Sequence, residues 1–245
     1  MQTSKAVAAA NLRDFQLAGV MYQDDHEGNF WQYRQNDPGN QVNWWFGSEP
    51  WNSNQSAANG NRQLDESNGT LGSYMGKGHK VKGDAAFKMT GKTKKAVFVD
   101  TSYIPYAYNV TLGGGWNGNG DVLNRDTLSN PSKIAVFATG AQVDTSSPAS
   151  PFNPMIEDAQ GFDDKPTNKT IHFRLSGKAL VIFADGHLEY VAPDPESLDA
   201  RMPKARIGYL PVELVTGESE NGNGNGGGNG GGNSGGNGNG NGGGN

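Results

Sequence analysis

Between Ser4 and Asp25 the chain has no proline and one glycine, Gly19, and Leu12, Phe15, Gly19 and Tyr22 recur at intervals of three and four residues. That spacing predicts one amphipathic helix over about residues 4–27, with Ala-rich helix formers in its early part. Leu17, Val20 and Met21 are expected to widen its apolar stripe. Gly28 is a natural C-terminal stop. Asp24, Asp25 and Glu27 sit at the carbonyl end of the helix dipole, where carboxylates are disfavoured, so they should face solvent or a partner.

A second pattern lies near the other end. Residues 177–191 alternate apolar and mixed positions around Asp185-Gly186, a pair suited to a two-residue type I′ turn. Such a turn pairs Ala184 with His187, Phe183 with Leu188, Ile182 with Glu189 and Val181 with Tyr190. Val181, Phe183, Leu188 and Tyr190 then share one dry face, while Leu180 and Ile182 join His187 and Glu189 on a mixed one. A dry face needs an apolar cover, and the N-terminal helix is the expected one. Leu12, Phe15 and Tyr22 should therefore meet Val181, Phe183 or Leu188, or sheet residues such as Val97 and Val136.

Other strand candidates are 96–99, 110–112 and 134–138, with 212–215 as a last strand or extended arm. Residues 196–200 read as a helical turn, and Trp44-Trp45-Phe46 as a strand or an aromatic plug. Pro148, Pro151, Pro154 and Pro166 punctuate a long connection. The fold class is α+β: a helix packed on a mostly antiparallel sheet with long Gly/Asn/Trp-rich loops.

Composition divides the chain. The last 25 of its 245 residues contain only Gly, Asn and one Ser, and hold 15 of the 37 glycines. With nothing apolar to bury, this tail, taken with Glu220 just ahead of it (residues 220–245), is expected to be disordered, leaving one globular unit over 1–219. The net charge of −5, with both signs dispersed, argues against nucleic-acid binding. Cysteine is absent, which removes disulfide and thiolate chemistry. No window approaches the roughly 18 apolar residues of a membrane-spanning helix.

Four segments in order carry a family resemblance. The run Asn11-Leu12-Arg13-Asp14-Phe15 through Gln23-Asp24-Asp25-His26-Glu27-Gly28 resembles the post-membrane helix of bacterial type IV pilin-like proteins, or pseudopilins. Ser102-Tyr103 with Tyr108-Asn109, and Asn130-Pro131-Ser132 with Phe137-Ala138, are similar to two further family segments. Phe183-Ala184-Asp185-Gly186-His187 resembles the hairpin of the His-x9-Asp-Gly, prepilin-type processing-associated group. Together they span about residues 5–191. Leu175 stands where that signature has its histidine, and His172 falls three positions early.

The resemblance implies a non-catalytic subunit of a type IV pilus or type II secretion pseudopilus, at the bacterial cell envelope or outside the cell. Its partners would be other pilin-like subunits, met through the helix. It also implies a basic leader, a processing site and a membrane segment. None is found ahead of the helix here, so membrane contact is expected only through an upstream segment outside this sequence.

Chemistry-bearing patterns are sparse. Nucleophile-elbow, zinc-helix and phosphate-loop motifs are absent, so no enzyme and no cofactor is expected. Asp163, Asp164, Asp185 and His187 are the candidate metal residues. The loop acids Asp163-Asp164 and Asp24-Asp25 suit a hard, oxygen-liganded cation such as Ca²⁺. Asp185 also has a simpler reading as a turn former. Five tryptophans in polar loops offer an alternative function, a carbohydrate-binding surface, against the plainer role of pinning loops that have little else to bury.

Overall fold

A computed structural model describes residues 2–37, 41–50, 62–76, 87, 98–99, 104–144 and 154–217. Helix α1 spans Gln2–Asp25. It ends where Glu27 and Gly28 both turn left-handed and the Gly28 N–H reaches back to the Gln23 carbonyl. That wrap satisfies an otherwise orphaned carbonyl, as the glycine stop predicts.

Strands β1 (Arg34–Asp37), β2 (Gln41–Trp44) and β3 (Gly47–Pro50) form an antiparallel meander. Next come β4 (Arg62–Gln63), β5 (Phe98–Val99), β6 (Tyr106–Asn109), β7 (Ala135–Thr139) and β8 (Gln142–Asp144). The rest are β9 (Met155–Glu157), β10 (Gly161–Phe162), β11 (Ile171–His172), β12 (Ala179–Phe183), β13 (Leu188–Val191) and β14 (Ile207–Gly208). A short helix, α2, closes the described chain at Val212–Thr216.

The central sheet has five strands in the order β10-β6-β7-β12-β13, antiparallel except for β10 beside β6. The α+β class with mostly antiparallel sheets follows directly. Two rows of side chains show how the sheet is used. Tyr108, Phe137, Ile182 and Leu188 face one another across four strands on the α1 side. One residue along, Ala107, Ala138 and Val181 make the adjacent row on the opposite side.

Ala8, Leu12, Phe15 and Ala18 are buried from α1, where the Phe15 ring meets Trp45, Tyr106 and Phe137 at centroid distances of 5.3, 5.4 and 5.6 Å. Asn11 donates to the Tyr106 hydroxyl at 2.9 Å, satisfying the buried amide N–H. The helix begins over β13, with the Lys5 ammonium above the Tyr190 ring. It ends with the half-buried Tyr22 edge-on to Trp31 and Tyr74 and stacked on His26.

Several expectations need correction. The Asp185-Gly186 hairpin is real, but its loop has three residues and its register is one residue off the predicted one. Phe183 closes onto His187, and Ile182 pairs with Leu188, Val181 with Glu189 and Leu180 with Tyr190. Only Gly186 takes a positive φ there, so this is not a type I′ turn. Because side chains alternate along a strand, a one-residue slip exchanges the faces. Leu180, Ile182, Leu188 and Tyr190 pack beneath α1 in one core with Val136 and the α1 residue Leu12, while Val181 and Phe183 lie on the far side. That second face is covered by Phe162, Ile171, Phe173, Leu210 and Val215.

A type I′ geometry does occur, at Ser176-Gly177: both residues have positive φ, and Leu175 and Lys178 exchange two hydrogen bonds across it. Leu175 is a buried core residue at this corner.

Leu17 and Met21 do not widen the buried stripe; they are 62% and 46% exposed. At 100° per residue they lie on the outer side, away from Leu12 and Phe15. Residues 110–112 form a turn, because the Asn109 side chain accepts from the Thr111 N–H and hydroxyl and ends β6. Residues 212–215 are helical, between Pro211 and the left-handed Gly217 that caps them. Residues 195–197 form a 3-10 turn. Val97, Trp51, Ser102-Tyr103, Pro148, Pro151 and the tail lie outside the described residues.

Candidate functional site

At the hairpin tip, Asp185 and His187 form an exposed pair. The Asp185 carboxylate takes both the His187 backbone N–H (3.1 Å) and the ring Nδ1 (2.6 Å), and the imidazole lies flat on Phe183 with centroids 4.4 Å apart. Partial desolvation works against ionisation of Asp185, but the hydrogen bonds from His187 outweigh it and hold the carboxyl below its ordinary range. Phe183, Ala184, Asp185, Gly186 and His187 thus make a self-contained turn.

Asp163 is buried, and every described contact it makes is with an N–H group. It accepts from the indole Nε1 of Trp116 (2.6 Å), the Asn168 amide (2.7 Å) and the Lys165 backbone (3.1 Å). Asp164 beside it is exposed. Calcium takes six to eight oxygen ligands. The donors around Asp163 and Asp185 turn positive hydrogens inward, an arrangement that does not suit a cation. Among the described residues no three acidic or histidine side chains converge, so Asp163, Asp164, Asp185 and His187 are not brought together. Asp24 instead pairs with Arg125 at 2.7 Å, and Asp25 accepts from the Tyr74 hydroxyl.

His172 sits in β11, fully buried and edge-on to Phe87. Burial and the neighbouring Arg174 guanidinium push its pKa well below that of a free imidazole, so it is neutral. Its Nδ1 is 3.4 Å from Arg174, which also donates to the Pro105 carbonyl. This is a structural knot beneath the sheet. Asp158 is also buried: one carboxyl oxygen accepts from the Ile104 N–H and the Gln160 amide, and the other has no partner among the described residues. Burial pushes its pKa up to about 6, beyond what those hydrogen bonds recover.

The tryptophans separate into distinct roles. Trp31 and Trp45 are core residues. Trp44 donates to the buried Glu49 at 2.8 Å, with Arg34 over its ring and Phe46 stacked at 5.9 Å. Trp116 differs, because it is half-buried and lines an open groove of about 420 Å³. Gln142, Asn168, Thr170, Lys169 and Arg201 also line it. Sequence reasoning found Asp163 but not this groove, since its walls come from residues 116, 142, 167–170 and 201.

Compared with family descriptions, curated proteins and solved structures, the chain matches none.

Proposed function

We propose that this chain is the globular part of a pilin-like filament subunit, at the cell envelope or outside the cell, which works by assembly and not by catalysis. The observation that carries this reading is the two-sided character of α1. Its inner face is spent on the sheet, while Ala6, Ala10, Leu17 and Met21 form a small, apolar outer stripe flanked by Arg13 and Asp14. Apolar side chains repeated along an exposed helix are costly in water and gain by burial against a second helix. The stripe is covered by α1 of another subunit, packed alongside over Leu17 and Met21. The ordered family resemblance of four segments supports the same reading.

The test uses the absence of native cysteine. The complete gene product carrying Ala10→Cys and Met21→Cys is treated in intact bacterial cells with a short bis-maleimide. A ladder of dimers, trimers and larger species is expected, with none from an exposed Ser132→Cys control. Monomer alone from the double variant overturns the reading.

A further inference from the structure

We infer that the Trp116 groove is a binding site for a neutral saccharide. The site stands apart from α1 and does not depend on the filament reading.

Trp116 is the described tryptophan that lines this groove. Trp31 and Trp45 are enclosed, and Trp44 is covered by Arg34 and Phe46. Its ring is also held in place before any ligand arrives. Asp163 fixes the indole N–H, Tyr33 meets the ring edge-on at 5.3 Å, and Gly161 makes room beneath it. A Cβ at Gly161 would stand 2.8 Å from the Trp116 six-membered ring, so only glycine permits this seat. A rigid apolar plate loses little conformational freedom on binding, and an aromatic face attracts the C–H side of a pyranose.

The polar groups around the plate complement a polyol, whose hydroxyls each donate and accept. Gln142 spends its amide N–H on Glu157 (2.6 Å) and Asn168 spends one on Asp163 (2.7 Å), which leaves their carbonyl oxygens as acceptors. Thr167 adds an exposed hydroxyl, and the buried Thr170 hydroxyl has no partner among the described residues. Arg201 is forked onto Asp199 through Nε and Nη2, leaving Nη1 as a donor. The two cations of the lining are already engaged, Arg201 with the Asp199 carboxylate and the Lys169 ammonium with the Leu198 carbonyl, which favours a ligand without net charge. The volume of about 420 Å³ lies within the usual range for small-ligand sites.

The experiment is native electrophoresis of the full chain through gels containing dextran, xyloglucan or galactomannan, with polygalacturonate as the acidic arm. Retarded migration is expected in at least one neutral gel. Thr167→Arg, which fills the groove from an exposed rim position without touching the packed ring, should restore free mobility. Trp116→Ala should weaken binding at least tenfold, with its fold checked by circular dichroism. Free mobility in every neutral gel, retardation by polygalacturonate alone, or retardation that survives Thr167→Arg would each overturn the inference.

Discussion

The Trp31 ring occupies the space a side chain on Gly19 would need: a Cβ there would stand 2.5 Å from the indole Cη2. The absent side chain lets the ring lie against α1 while it stacks on Tyr108 at 4.8 Å and Phe137 at 5.7 Å. Alanine at position 19 would gain about 1 kcal/mol of helix propensity, yet overpacking costs about 1–3 kcal/mol. Gly19→Ala should therefore destabilise in urea titration, and the loss should shrink in a Trp31→Phe background. A Gly19→Ala chain more stable than wild type by the full propensity gain of about 1 kcal/mol would contradict the packing.

The two faces of α1 should separate by mutation. Phe15→Ala removes a buried ring and should cost about 3–5 kcal/mol. Leu17→Ala, on the exposed side, should change stability by no more than about 0.5 kcal/mol. Chemical denaturation of both variants checks the assignment, and a large loss at Leu17 would reverse it.

Phe183 is buried under the C-terminal segment and not under α1. Phe183→Ala should also cost about 3–5 kcal/mol. A loss below about 1 kcal/mol would show that the second face is uncovered.

At the Ser176-Gly177 corner both central residues need positive φ, which asparagine tolerates better than serine. Ser176→Asn should raise the midpoint of thermal unfolding, by about 0.5 kcal/mol in stability.

Asp158 makes stability depend on pH. Its folded pKa is raised to about 6, so between about pH 4 and 6 the folded chain keeps a proton that the unfolded chain has released. Its contribution is therefore present in acid and lost as pH rises through 6, a swing of about 3 kcal/mol. Asp158→Asn imitates the protonated carboxyl. It should match wild type near pH 4 and exceed it at pH 8 in urea titrations. The buried, neutral His172 acts in the opposite sense, with stability falling as pH drops below 6.5.

How much of this was legible in the sequence varies with the range of the signal. The helix, its stop at Gly28 and strand β7 follow from local periodicity and turn chemistry. The hairpin was legible but its register was not. Asp-Gly fits two- and three-residue loops alike, and both faces of β12 are apolar, so alternation could not choose between them. The brief run at 212–216 shows no 3.6-residue period, and its Val-rich composition reads as strand despite Pro211 and Gly217 at its ends. Leu17 and Met21 look like core residues until geometry places them outside. The groove was hidden for a different reason: Trp116 and Asp163 are 47 residues apart, and no local pattern announces their bond.

Asn109 carries one more implication. Its amide nitrogen lies 2.9 Å from two carbonyl oxygens, those of Ala135 and Val215, and so joins the middle of the chain to its last described helix. During synthesis, the layer containing Phe183 lacks the part of its cover that Leu210 and Val215 supply until residues 207–217 leave the ribosome. In that interval the nascent polypeptide is most open to mispairing with its neighbours.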